Sequence, residues 1–251
     1  NSMMINSAIN MAVTMQDNQT GLIFSFAEIS ESKSKFTGEH IKRVAAYMRV
    51  LAKASGFDDE YVEMVSTASM MHDIGKLMIS EEILDKPDKL TDEEYEEIKK
   101  HPVIGYNLVK NLDIDQRIKN AVLLHHERFD GKGYPLGLTG NEIDDFTSIV
   151  SIADVYDAMT ANRCYRDGLC PFEVIAMFEK EGLTQFNPKY ILTFLDHIAN
   201  TYINNEVLLS DGSSGKIVLI NKKLTRPTIQ LDNGNFVNLE SRLDLYVQAI
   251  I

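Results

Sequence analysis

The stretch His125-His126-Glu127-Arg128-Phe129-Asp130-Gly131-Lys132-Gly133-Tyr134-Pro135 decides how this chain is read. Just before it, Ile118, Ala121 and Val122 recur with the period of an amphipathic helix. Gly131 and Gly133 then interrupt that period, because a residue without a Cβ suits a tight turn better than a helix interior. The two imidazoles therefore stand where helix becomes loop, a place from which side chains can converge on a common centre.

Working outward toward the N-terminus, Met71-His72-Asp73-Ile74-Gly75-Lys76 closes a second helix, which Asp58 or Asp59 can cap and which runs through Val62, Val65 and Ala68 to Gly75. Ahead of it, Thr37 to Ser55 reads as a helix with His40, Val44, Met48 and Leu51 on one inward stripe and Gly56 just beyond its end. Residues 1–34 read as an N-terminal helical segment, broken around Asp17 to Gly21, with Leu22, Ile23, Phe26 and Ile29 on its apolar face. Between the two motifs, Thr91 and Glu94 form a capping box for a helix whose acidic run reads as a solvated face. His101 stands just ahead of Pro102, a residue suited to the first helical turn, and Val103, Ile104 and Leu108 continue an apolar period.

Toward the C-terminus, Phe146 to Ala161 predicts a helix that places Val150, Asp154, Asp157 and Ala161 on a core-facing stripe. Two further helices are expected over 171–181 and 187–204, where His197 reads as a structural or surface residue. Composition changes near Asn205. Val207–Leu209, Gly215–Ile220, Thr228–Leu231 and Leu243–Val247 are short β-type runs, punctuated at Asp211-Gly212 and Asp232-Asn233-Gly234. The expected architecture is mainly α: a helical bundle over 35–204 with a β appendage of three to five strands over 205–251. An appendage that small needs to pack on the helices to be stable.

Length and composition bound the function. The chain has 251 residues with 44% apolar content, enough for a sizeable core. Its net charge of −12 opposes any broad contact with a nucleic-acid polymer or an anionic membrane. Cys164 and Cys170 offer neither a disulfide framework nor zinc spacing, which fits a reducing cytoplasm. No apolar run approaches the roughly 20 residues that span a bilayer, and the N-terminus carries no basic stretch ahead of an apolar core.

Five of the six histidines fall at helix ends or on inward stripes, together with Asp73 and Asp154. A single inward histidine is usually a hydrogen-bonded core residue. Five with two aspartates leave too many buried polar groups to satisfy one another, and metal supplies the missing partner. Nitrogen and carboxylate ligands without thiolate favour open six-coordinate iron, manganese or a similar divalent ion over a closed structural zinc. Seven ligands are too many for one ion that keeps positions free, and they suit two.

With both His72-Asp73 and Gly133-Tyr134-Pro135 present, residues 35 to 200 resemble the HD-GYP family of bacterial metal-dependent phosphodiesterases, which act on cyclic dinucleotides. The resemblance implies an HD-type helical bundle that hydrolyses cyclic di-GMP to linear pGpG and on to GMP. His40, His72, Asp73 and Asp154 resemble the ligand set of the wider HD superfamily and would hold one ion. His101, His125 and His126, which HD-GYP members add, would hold the second, with Asp73 bridging and catalytic. Such a pair would carry a bridging hydroxide as nucleophile. Lys76 has two open readings, a catalytic contact to the phosphate or a cation placed near a helix C-terminus, and the resemblance favours the first. Arg163 and Arg166 are expected to bind phosphate or base, against the alternative of an ion pair with Asp157, itself a candidate substrate contact. The turn through Gly131, Gly133, Tyr134 and Pro135 either rigidly connects two helices or borders the substrate pocket, with Tyr134 and Asp130 as contacts. One departure stands out. Members with three metals carry a glutamate four residues before the first histidine, and here that residue is Phe36, so two ions are expected. Compatible partners are the dinucleotide substrate, a second copy of the chain in a homodimer, and a signalling protein. Rival readings are hydrolysis of another cyclic or linear dinucleotide, and a binding module that senses the dinucleotide with little turnover.

Overall fold

The computed structural model describes residues 21, 37–162 and 167–251. The expectations for the N-terminal helical segment, Phe36, Arg163, Cys164 and Arg166 lie outside the described residues.

Helix α1 (Thr37–Ala54) buries the stripe Ile41, Val44, Met48 and Leu51, and the chain leaves it at Gly56, whose φ of +83° suits a residue without a Cβ. Helix α2 (Asp59–Met71) starts where the Asp58 carboxylate accepts the Tyr61 amide. It gives way at Asp73 to a tight 3₁₀ turn, Ile74–Met78. After the short α3 (Glu81–Leu84), α4 (Asp92–Ile98) begins with the expected capping box of Thr91 and Glu94. Helices α5 (His101–Val109), α6 (Gln116–Leu124), α7 (Asp145–Thr160), α8 (Pro171–Met177) and α9 (Pro188–Asn200) follow, with a π-helical turn at Phe178–Gly182 after α8. Helix α1 packs on α2, α7 and α9, while α5 packs on α6 and on the 3₁₀ turn.

Two glycines decide one of those contacts. A Cβ on Gly75 would lie 1.9 Å from the His101 carbonyl oxygen, and one on Gly105 would lie 2.9 Å from Val122 Cγ1. Only bare backbone allows the 3₁₀ turn to approach α5 this closely, and the approach carries Asp73 toward His101. It also corrects the expected apolar face of α5. Val103 and Leu108 are exposed, and the buried face is the small-residue face of Pro102, Gly105 and Val109.

The C-terminal part is a five-stranded antiparallel sheet of order β4-β3-β2-β1-β5, built from β1 (Glu206–Leu209), β2 (Ser214–Leu219), β3 (Thr228–Leu231), β4 (Phe236–Asn238) and β5 (Val247–Ile250). Of the Leu243–Val247 run expected as a strand, only Val247 belongs to β5; residues 243–246 form the turn ahead of it, with Leu243 and Tyr246 exposed. The sheet buries Val207, Leu209, Ile217, Ile229 and Val247 against Phe172 of α8, while Tyr202 and Ile220 touch both this cluster and the helical core. The appendage thus has the support that its size requires. No described helix is long and apolar enough to cross a membrane.

Candidate metal centre

Four helix ends and the middle of a fifth helix converge on one buried point. His40 comes from the first turn of α1, His72 and Asp73 from the end of α2, His101 from the start of α5, His125 and His126 from the end of α6, and Asp154 from α7. Adjacent residues on a regular helix point about 100° apart. Asp73 leaves the helical path, with φ −98° and ψ 7°, and so can face the same point as His72. The Ser151 hydroxyl donates to the His125 carbonyl at 2.7 Å and ties the end of α6 to α7.

The ring orientations are fixed from behind. His72 Nδ1 donates to the Ser69 carbonyl at 2.8 Å, His101 Nδ1 to that of Ile98 at 2.7 Å, and His125 Nδ1 to that of Ala121 at 3.0 Å. His40 Nδ1 donates to Asp157 Oδ2 at 2.7 Å. Carbonyls and carboxylates only accept, so these Nδ1 atoms carry protons and Nε2 is the nitrogen that each ring turns toward the centre. His101 Nε2 and His125 Nε2 meet at 3.2 Å. Around Asp73, the nearest Nε2 atoms are those of His101 (3.2 Å), His72 (3.4 Å), His125 (3.7 Å) and His40 (3.8 Å). Asp154 Oδ1 lies 3.4 Å from His40 and 3.8 Å from His72.

These residues fit a metal. Among the described residues His72 Nε2 and Asp73 Oδ1 are buried with no hydrogen-bond partner, which is costly unless a cation takes both. Two ligand groups can each close on an ion, Asp73 with His101, His125 and His126, and Asp73 with His40 and His72. Asp73 belongs to both.

The electrostatics ask for positive charge. Burial disfavours the His72 imidazolium, yet Asp73 and Asp154 outweigh burial and raise its pKa to about 10. Burial also disfavours the Asp73 carboxylate, but Lys76, His72, His101 and His125 together hold it well below the usual range. At His125, burial prevails and lowers the pKa to about 4, and His126 is likewise pushed down by burial and by His125. The His125 and His126 rings are thus neutral, the form in which imidazole binds metal.

The other expected site residues are placed as follows. Lys76 Nζ donates to Asp73 Oδ2 at 2.6 Å from a partly exposed side chain. Tyr134 stacks on His126 with ring centroids 4.7 Å apart, and Lys99 Nζ sits 5.4 Å from its ring centre. The Tyr134-Pro135 peptide is cis and Gly131 has φ +77°. At Gly133 a Cβ would meet the Arg128 amide nitrogen at 2.3 Å, so the turn lies tight against the end of α6. Asp130 turns its carboxylate onto the loop itself, accepting the Lys132 amide at 3.1 Å. Asp157, expected as a substrate contact, needs correction. It is 0% exposed and lies behind His40, where Arg43 Nε and Nη2 also reach it at 2.6 and 3.1 Å. Among the described residues the arginine paired with it is Arg43, a residue that the sequence reading passed over.

Glu127 was also missed. Its buried carboxylate accepts the backbone amides of Leu136 (2.6 Å), Gly137 (3.1 Å) and Leu138 (3.0 Å), and so clamps the loop to the ligand helix. An acidic residue directly after two ligands, facing a glycine-rich turn, was the available signal.

A family model described as HD domain matches residues 25–190. The chain is 34% identical over 191 residues to the 3'3'-cGAMP-specific phosphodiesterase 2 of Vibrio cholerae, a match covering 75% of this chain and 37% of that protein. It is 36% identical over 169 residues to a cyclic di-GMP phosphodiesterase of Thermotoga maritima, covering 66% of this chain and 46% of that one. The chain therefore spans less than half the length of either relative. A solved HDG"Y"P protein from Bdellovibrio bacteriovorus shares the fold, with a TM-score of 0.55 at 21% identity over 66% of this chain and 53% of that one.

Proposed function

Since this chain belongs to the HD domain family, in its HD-GYP branch, we propose that it hydrolyses cyclic di-GMP at a centre of two divalent ions, giving linear pGpG and, in a second cleavage, GMP. The observation that carries this reading is the Asp73 carboxylate, common to two ligand groups that could each close on an ion. Two ions bound there, iron or manganese by the chemistry of the donors, would polarise the phosphodiester and activate an attacking water. The chain's own residues do the rest. Asp73 and the anchored histidines fix the geometry before substrate arrives, so little reorganisation remains for the reaction. Lys76 reaches Asp73 from the partly exposed side and is placed to offer its ammonium to a phosphate oxygen as charge develops. Tyr134, stacked on His126, supplies an aromatic surface beside the centre.

A second substrate has support of its own, since the Vibrio relative is named for 3'3'-cGAMP. The sensor reading is the weaker, because a module that only binds has no need of so complete a ligand set. The deciding experiment is turnover of a panel of cyclic and linear dinucleotides by anaerobically purified protein loaded with iron or manganese, with metal analysis alongside. Release of pGpG from cyclic di-GMP at the highest kcat/KM supports the proposal. Preferred cleavage of cGAMP would change the substrate, and binding without product would make the chain a sensor.

A further inference from the structure

His40 is anchored differently from the other ligands. His72, His101 and His125 donate their Nδ1 protons to main-chain carbonyls, whereas His40 donates to the carboxylate of Asp157. A carboxylate carries a full negative charge and a carbonyl only a dipole. It therefore draws the Nδ1 proton harder and leaves Nε2 the more electron-rich donor toward a metal. Asp157 is fully buried, so its charge is little screened by solvent. Its carboxylate has two side-chain partners among the described residues, His40 and Arg43. Arg43 follows His40 by three residues on α1, so both residues lie on the face of that helix turned to α7. Its guanidinium grips Asp157 with two nitrogens and fixes the carboxylate, while also sharing the negative charge that would otherwise act on His40 alone.

We propose that Asp157, clamped by Arg43, is a positioning residue that makes the His40 side of the metal centre the tighter-binding side. The inference rests on the two-metal reading above and goes beyond it by giving the two ions unequal affinities and an order of loading.

The test is calorimetric titration of the whole chain with Mn²⁺ under anaerobic conditions. Wild type is expected to show two binding events of unequal affinity, and His126→Ala, whose ring belongs to the other ligand group, should lose the weaker one. Asp157→Asn should weaken the tighter event by about 10- to 100-fold, the usual effect of removing such an outer partner, and leave the weaker event unchanged. Arg43→Gln, which frees the carboxylate from its competing cation, should tighten the same event severalfold. Loosened packing would weaken both events in both variants, and that result overturns the inference. So does an Asp157→Asn protein whose tighter event is unmoved. If Asp157→Asn fails to fold, Arg43→Gln decides alone: a tightened event supports the inference, and an unchanged or weakened one overturns it. A wild type that binds no ion sinks the two-metal reading as well, whereas two unequal events unmoved by Asp157→Asn sink this inference only.

Discussion

Replacing Asp73 by asparagine should remove both metal ions, where replacing His126 by alanine should remove one. The difference follows from membership, since Asp73 is common to both ligand groups and His126 belongs to one. An ion held at 100 times its Kd stabilises a native state by about 2.7 kcal/mol, so two such ions contribute about 5.4 kcal/mol. For a chain of this size each kcal/mol moves Tm by roughly 2–4 °C, so saturating Mn²⁺ should raise the wild-type Tm by roughly 10–20 °C. Asp73→Asn should show no such rise, and His126→Ala, which keeps the tighter ion, at least half of it. Helical content should be nearly unchanged in both, because the isosteric amide stands in the turn after α2 rather than within a helix. The assay is thermal melting followed by circular dichroism, with and without Mn²⁺, paired with elemental analysis of the dialysed proteins. An Asp73→Asn protein that kept one ion and half the shift would show that the carboxylate is not shared. One that kept full hydrolysis would end the bimetal mechanism.

Lys76→Ala should lower kcat by roughly tenfold to a hundredfold with a smaller change in KM, since a charge-assisted hydrogen bond contributes on the order of 1.5–3 kcal/mol; steady-state kinetics check it, and an unchanged kcat would leave the ammonium its local role beside Asp73. Glu127→Gln removes the charge that accepts three backbone amides, so amide exchange at Leu136, Gly137 and Leu138 should speed up by at least tenfold, measured by hydrogen–deuterium exchange with mass readout. Gly75→Ala places a Cβ 1.9 Å from the His101 carbonyl oxygen, which should drive the 3₁₀ turn from α5 and cost about 3 kcal/mol or more, with metal uptake lost at temperatures where the chain remains folded. Elemental analysis of the fully loaded wild type should return two ions per chain, whereas three would show that Phe36 does not set the count.

Much of the centre was legible because its ligands sit at punctuation marks. His40 leads an apolar stripe, His72-Asp73 precedes Gly75, His101 precedes Pro102, and His125-His126 precede a glycine-rich turn, so local pattern alone brings them to helix ends. The misreadings have a different physical origin. The buried face of α5 was missed because hydrophobicity was taken as the sign of burial, whereas this helix buries a proline, a glycine and a valine against a turn that needs small residues. The last strand was misplaced for a similar reason. Leu243 and Tyr246 are apolar yet exposed, and only pairing with β1 defines Val247–Ile250 as the strand.

Arg43 and Asp157 show where single-residue reasoning reaches its end. They lie 114 residues apart, and the sequence reading passed over Arg43 and took Asp157, on its inward stripe, as a candidate substrate contact. The stripe correctly predicted that Asp157 would be inward, but an inward carboxylate can serve a substrate, a metal or another ligand, and periodicity does not choose among them. The choice is made by which charges share the buried space. Asp154 lies 3.4 Å from His40 and 3.8 Å from His72, on the inner side of both rings. One turn further along α7, Asp157 meets the outer nitrogen of the same His40 ring and a guanidinium that can satisfy it. Two aspartates three residues apart thus face opposite nitrogens of one imidazole, Asp154 the inner one and Asp157, gripped by Arg43, the outer one.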